Sequence, residues 1–181
     1  MKTMTKFMSI AVAAAMTLIS GCKSLPSPEV MKATATSIGV AAGMVANETP
    51  IDDKARNTVV AIMEEVAKVT PKQGQSFEEA WTPVAKEIVA KLIAEGKIDD
   101  GIGNISLAAF SIAVKGLDYI FTVRYPKAKE YEELVNAAVS GFTEGFLTIF
   151  KPVDAEKVKG ADAPKPDAEA LKWLKENVKA K

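Results

Sequence analysis

Apolar residues recur at helical spacing along most of the chain, and no stretch of useful length alternates apolar and polar positions as a β-strand does. Five long segments and one short one carry the helical pattern. We predict helices over about 28–47, 50–69, 76–95, 104–123, 127–150 and 167–178. The sequence therefore predicts an all-α fold, a single helical bundle of about five main helices with a short C-terminal helix.

Hydroxyl–proline pairs mark several of the predicted helix starts, because serine or threonine caps a helix and proline suits its first position. The third helix has two possible starts, a Ser76 capping box closed by Glu79, and Thr82 followed by Pro83. The first and second helices are separated by two residues, which favours an antiparallel helical hairpin.

The fourth segment is apolar nearly all round, which is typical of the buried centre of a bundle. Lys115 and Asp118 near its middle argue against a membrane span. They lie three residues apart and can share one side of the helix. Two interpretations stay open: a polar spot that orients a ligand in a cavity, or a structural ion pair or solvated strip.

Two rows of small residues, spaced four apart, occur in the first and fifth segments. The rows are Ala35, Gly39 and Gly43, and Ala137, Gly141 and Gly145. Glycine inside a helix costs about 1 kcal/mol relative to alanine, so its presence here suggests close backbone approach. We predict that the first and fifth helices cross at these rows.

The fifth segment also carries candidate pocket residues. Phe142 and Phe146 either belong to the core or line an apolar pocket beside glycine-made gaps. Glu144 lies between them in sequence, where it is either a carboxylate in an apolar setting, as a general acid requires, or a residue of the exposed face. Lys115, Asp118, Phe142, Glu144 and Phe146 are the candidate ligand-pocket set.

The C-terminal region divides into a linker over 151–166, rich in Lys, Asp, Ala, Gly and Pro, and an amphipathic helix within 167–181. Trp173 and Leu174, with lysines on either side, are candidate contacts to a partner or a membrane. The alternative is that this helix packs back on the bundle domain, residues 28–150.

The N-terminus reads as a secretory signal, with a short cationic start, an apolar stretch of about 11 residues and a small-residue boundary. This stretch is too short to span a bilayer as a stable helix. We expect residues 1–21 to be removed.

The boundary Ile19-Ser20-Gly21-Cys22 resembles the lipobox of bacterial lipoproteins. The resemblance implies lipidation of Cys22, cleavage before it, and membrane anchoring through a tether over 22–27. Lys23 follows the cysteine, where an aspartate is the retention signal for the inner membrane in enterobacteria-like sorting, so the periplasmic face of the outer membrane is favoured.

Composition removes several function classes. The chain holds 23 basic and 23 acidic residues, and the part after residue 21 has a net charge of −2, so no basic patch predicts nucleic-acid binding. The sequence has no histidine and one cysteine, which removes the commonest general base and the thiolate zinc sites. Asp99, Asp100 and Asn104 lack the spacing of a calcium loop and are interpreted as a turn and helix cap. We predict no cofactor and no metal.

These observations predict a membrane-anchored, non-enzymatic envelope lipoprotein that acts as a protein-binding or structural module, with an envelope protein as partner. The alternative hypothesis is a carrier or sensor of a small apolar or lipid ligand between the fourth and fifth helices.

Overall fold

The computed structural model describes residues 25–72, 74–151 and 164–178, and the described chain is an all-α bundle. Its six α-helices follow one another along the chain. They are α1 Pro28–Asn47, α2 Asp53–Val66, α3 Phe77–Ala94, α4 Asp100–Tyr119, α5 Glu132–Ile149 and α6 Ala168–Val178. A π-helical turn, Ile120–Arg124, and a 3-10 helix, Pro126–Glu130, connect α4 to α5. The predicted fold class is confirmed.

Side-chain caps fix the starts of the first four helices. Ser27 caps α1 with Pro28 at its first position, as predicted. Asp52 caps α2, and its Oδ1 accepts a 2.7 Å hydrogen bond from the backbone N–H of Ala55, so α2 begins three residues later than predicted. Ser76 and Glu79 form the capping box of α3, which leaves Pro83 inside that helix. Asp99 caps α4 four residues earlier than predicted.

The connection into α5 differs from the prediction of one helix that starts just after Pro126. The backbone N–H of Tyr125 bonds to the carbonyl of Ile120, five residues back, which makes the π turn that ends α4. The extended backbone at Tyr131 then separates the 3-10 helix from α5. This two-step corner is where the chain reverses direction.

The crossing of α1 and α5 at their small-residue rows is confirmed. A Cβ on Gly39 would overlap the carbonyl oxygen of Phe142, and Cβ atoms on Gly141 and Gly145 would overlap the carbonyl oxygens of Lys32 and Thr36. The two helices run parallel and form the most extensive helix pair of the bundle. Close backbone approach is therefore what these glycines provide.

The predicted antiparallel hairpin of α1 and α2 is correct in direction and wrong in packing, since the two helices run in opposite directions but make at most minor contact with each other. The face of α1 that carries its small-residue row is occupied by α5, and α2 packs instead against α3 and α4. α4 contacts each of the other five helices, in agreement with its predicted central place.

One described segment, Asp100–Arg124, meets the length and composition of a membrane span, and 61% of its most apolar window is buried inside the bundle. The core helix of a soluble bundle meets the same criteria. The segment is buried because α4 lies at the centre of the bundle, in contact with every other helix.

The bundle has two ends. One, here called the tether end, holds the start of α1, the turn after α2 and the corner between α4 and α5; Thr70 and Asn136 hydrogen-bond there at 3.3 Å, and the rings of Phe77 and Phe121 stack at 5.5 Å. At the opposite, far end, the Asn47 amide donates to the carbonyl of Ile149.

Candidate binding surfaces

The C-terminal helix α6 packs back on α1 and α4. Its residues Ala170 and Leu174 are fully buried against the bundle. The ring of its Trp173 lies 5.2 Å from the ring of Tyr119 at the end of α4. The backbone N–H of Asp167 donates to the carbonyl of Ser37. Of the two predicted surface residues, Leu174 is therefore not exposed, because its side chain is the apolar contact that seats the helix, and Trp173 is half-buried.

An ion cluster holds the start of α6. The Arg124 guanidinium lies 2.6 Å from Glu169 and 3.9 Å from Asp167, and only 16% of its side chain is exposed. Burial alone would lower the pKa of Arg124, but the two carboxylates outweigh it and raise that pKa. Burial, then Asp167, raises the pKa of the Tyr119 phenol in the same cluster. The π turn is what brings Arg124 to this position.

Lys115 and Asp118, predicted on one side of α4, bind different partners. Lys115 Nζ donates a 2.8 Å hydrogen bond to the carbonyl of Asn177 in the last turn of α6, where a cation complements the helix dipole. The Asp118 carboxyl lies near the backbone N–H of Phe77, the first residue of α3, and this N–H favours its charged form. Each side chain therefore faces the end of a neighbouring helix, and the two do not form an ion pair with each other.

Asp118 is half-buried, and its surroundings disfavour its charged form. Burial raises the pKa of its carboxyl, and the nearby charge of Glu78 adds to the effect. Lys129 and the Phe77 N–H oppose this rise without cancelling it. The carboxylate therefore lies beside the start of α3 at some electrostatic cost.

An open groove of about 390 Å³ runs between α3 and α4 and is closed at one side by Val178 of α6. Its apolar wall comes chiefly from α4, and its rim is charged. The lining includes Leu107, Phe110, Val114 and Val178 on the apolar wall, and Glu78, Lys86 and Lys115 on the rim. Ser111 and Ala108 lie exposed on the α4 side. Lys115 is the one candidate pocket residue that lines this groove.

The other predicted pocket residues take ordinary structural places. Phe142 and Phe146 are fully buried and stack at 6.2 Å, and the Phe142 ring fills the space beside Gly116 and Ala42. They fill the core rather than line a cavity. Glu144 is exposed on α5 and pairs with Lys32 at 3.2 Å, so its setting is polar rather than apolar.

The acidic turn before α4 acts as a helix cap, since Asp99 Oδ1 accepts a 2.8 Å hydrogen bond from the backbone N–H of Ile102. Within the described residues, no group of three or more acidic, histidine or cysteine side chains is placed to hold a metal ion. Residues 1–24, which include the predicted signal segment and the predicted lipidation site Cys22, and residues 152–163 of the predicted linker lie outside the described residues.

The sequence reasoning missed the Arg124 cluster and the part that Val178 plays in the groove. Arg124 and Asp167 are 43 positions apart, and no periodic pattern pairs two such residues. Hydrophobic periodicity predicted that Val178 belongs to the last helix, but it does not indicate on which surface of the bundle that helix docks.

Comparisons of the chain with protein-family models, with curated proteins and with solved structures find no match.

Proposed function

We propose that this protein is a lipid-anchored lipoprotein of the bacterial envelope whose bundle is a non-enzymatic module that binds another protein through the groove between α3 and α4. The observation that carries the binding role is the groove itself. It exposes a small apolar surface on α4, chiefly at Leu107 and Ala108, since the lining residues Phe110 and Val114 are buried, and α4 is otherwise the buried centre of the bundle.

The anchoring part is supported by the signal-like N-terminus and by the lipobox resemblance that ends at Cys22. Ser27 already caps α1, so five peptide steps separate Cys22 from the folded bundle. At about 3.5 Å per residue, the tether spans at most roughly 18 Å. A lipid on Cys22 would hold the bundle against the membrane surface.

The shape and chemistry of the groove favour a helical partner. An amphipathic helix binds by laying an apolar face into such a groove, while charged rims fix its register. Exposed Ala108 and Ser111 allow close approach to α4, and Lys86 and Lys115 offer cations to acidic partner residues. The partner we propose is an envelope protein that presents an amphipathic helix with acidic flanks.

No catalytic role is included in the proposal. The sequence contains no histidine, and its one cysteine is the proposed lipid acceptor. Of the carboxylates singled out above, Asp118 lies beside the start of α3, and Glu144 forms an exposed ion pair.

Fatty-acid labelling of cells tests the anchor. The wild-type chain should incorporate label and lose residues 1–21, and the Cys22→Ala variant should remain unlabelled and uncut by the lipoprotein pathway. Label on the alanine variant would refute the assignment of Cys22.

Site-specific photocrosslinking in intact envelopes tests the groove. A photoreactive residue at Ser111, inside the groove, should yield one discrete adduct, and the same residue at Ser140, exposed on α5, should yield none. A second substitution, Leu107→Glu, should abolish the adduct at 111. Equal adducts at both positions, or an adduct that survives Leu107→Glu, would contradict the proposed site.

A small apolar ligand is the second candidate occupant, favoured by the groove volume, which lies within the range of small-molecule sites. Native mass spectrometry of the gently purified chain distinguishes a small apolar ligand from a protein partner. A stoichiometric lipid-sized mass that a Ser111→Trp variant no longer retains would support the carrier function. A bare mass together with the crosslink at 111 would support the protein partner.

A further inference from the structure

We infer that the tether end of the bundle rests on the bilayer, so that the membrane surface itself is a second partner of this protein. The inference builds on the proposed anchoring at Cys22 and concerns which face the anchored bundle turns to the lipid.

Exposed apolar side chains concentrate at the tether end. Within the described residues, six large apolar side chains are exposed, and four of them belong to this end. The four are Leu25, Val30, Val123 and Tyr131, and the other two are Met44 and Ile105. Val123 is 51% exposed in the π turn, and Tyr131 is 47% exposed just before α5. Isolated apolar residues are ordinary on a protein surface, but their gathering at one end is not.

The backbone geometry makes this end the one that reaches furthest toward the anchor. Gly141 of α5 packs on the carbonyl of Lys32 of α1, and the two helices run parallel. α5 begins nine residues before Gly141 and α1 only four before Lys32. At about 1.5 Å per residue, the corner that carries Tyr131 projects roughly 7 Å beyond the start of α1.

The tether leaves the bundle at this same end. Its reach of at most roughly 18 Å keeps a lipid on Cys22 near the start of α1. A bundle that lay with its far end on the membrane would require the tether to run the whole length of α1, whose 20 residues rise about 30 Å. The short tether therefore excludes the far end as the contact face.

The chemistry of the corner suits the interfacial region of a bilayer. Tyrosine is enriched at that depth because its ring is apolar and its hydroxyl polar, and lysine stems extend toward lipid headgroups. Lys127 and Lys129 lie in the 3-10 helix between Val123 and Tyr131, beside the exposed acidic residues Glu130, Glu132 and Glu133, so the proposed contact rests on the apolar side chains and not on a net positive charge. In this orientation the groove between α3 and α4 faces sideways and stays open to a protein partner.

Chemical anchoring of the chain from Cys22 onward tests the orientation. Cys22 is the only cysteine, so it couples at that position alone to phosphatidylcholine vesicles that contain a maleimide-headgroup lipid. In a Trp173→Phe background, the Tyr131→Trp variant should lose more than half of the fluorescence added at that position when the lipid acyl chains are brominated. The matched Ile105→Trp variant, at the far end, should lose none. Trp81 is fully buried and contributes the same background to both.

Quenching of the Ile105→Trp variant as strongly as the Tyr131→Trp variant, or no quenching of the latter, would overturn the inference. Hydrogen exchange of the unsubstituted vesicle-bound chain gives a second readout, with slower exchange expected over residues 123–131 and no change over 104–108. Because the anchor is attached chemically, failure here would count against the orientation, whereas absent fatty-acid labelling in cells would count against the anchor.

Discussion

The α1–α5 pair and the docked α6 hold the same bundle together in opposite ways. α1 and α5 meet backbone to backbone along two rows of small residues, with no room for an added methyl group at Gly39, Gly141 or Gly145. α6 instead sits on α1 and α4 through two fully buried side chains, an ion cluster and single hydrogen bonds. The first contact is continuous packing, and the second is a set of separate attachments.

The difference teaches which part of the molecule can move without loss of the fold. The α1–α5 crossing cannot open by a small amount and stay packed, because protein interiors are close-packed and deform little. A short helix held by a few attachments opens at a lower free energy than the whole domain. Since Val178 closes one side of the groove, opening of α6 would also change the proposed binding site.

The largest effect is expected from Gly145→Ala. The added Cβ would overlap the carbonyl oxygen of Thr36 and lie 2.8 Å from its carbonyl carbon, and neither atom can rotate away. We expect a loss of about 3 kcal/mol in the free energy of unfolding, the upper end of ordinary overpacking costs, measured by urea denaturation. The control is Gly101→Ala, where the Cβ would meet only the Asp99 side chain, at 3.2 Å. Equal losses in both variants would break the argument from backbone approach.

Leu174→Ala should loosen α6 while the rest of the bundle stays folded. Truncation of a fully buried leucine costs about 2–3 kcal/mol. Here we expect this loss in the free energy with which α6 docks on the bundle, and not in the free energy of global unfolding. Acrylamide quenching of Trp173 should increase, and that of buried Trp81, followed in a Trp173→Phe background, should not. Leu171→Ala on the same helix, where the side chain is half-buried, should give a smaller increase. A parallel rise at Trp81 would mean that α6 is not separable.

Arg124→Met should weaken the same docking by about 1–2 kcal/mol, between the values for exposed and for buried ion pairs. Methionine keeps most of the apolar stem and removes the contacts to Asp167 and Glu169. Trp173 quenching in the wild type should also rise with added salt, and the variant should show a weaker dependence, since the exposed Lys175–Glu48 pair still links α6 to the end of α1. Lys97→Met removes an exposed pair with Glu95 at the far end and should leave Trp173 unchanged.

The smallest effect concerns Asp118, which lies beside the start of α3 rather than holding α6. Its raised pKa means that ionisation costs folding stability, so this cost is absent below the ordinary aspartate pKa and develops as the pH rises through the raised value. Asp118→Asn keeps an acceptor for the Phe77 N–H without the charge. Its urea midpoint should match the wild type at pH 3.5 and slightly exceed it at pH 7.

Asp118→Leu, which removes the acceptor, should be less stable than the wild type at both pH values. An asparagine variant that is less stable than the wild type at pH 7 would show that the charge of Asp118 stabilises the fold.

Local sequence patterns predicted much of the fold but little of the groove between α3 and α4. Helical spacing predicted the fold class and the bounds of α1, and the two small-residue rows predicted the α1–α5 crossing. The π turn was missed because an i to i−5 bond leaves no mark in hydrophobic spacing. The sequence left Phe142 and Phe146 as either core or pocket residues, since an aromatic row beside glycine is compatible with both a filled and an open interior, and the structure buries both. The groove depends on how α6 docks, which sequence periodicity does not encode.

Native-state hydrogen exchange tests most directly the claim that α6 is a separable helix on a permanent α1–α5 frame. The account predicts that amides around Leu171 and Leu174 exchange through an opening whose free energy lies below that of global unfolding, while amides around Phe142 and Phe146 exchange only with global unfolding. A single common free energy for both sets of amides would contradict the claim and would make α6 an integral part of the core.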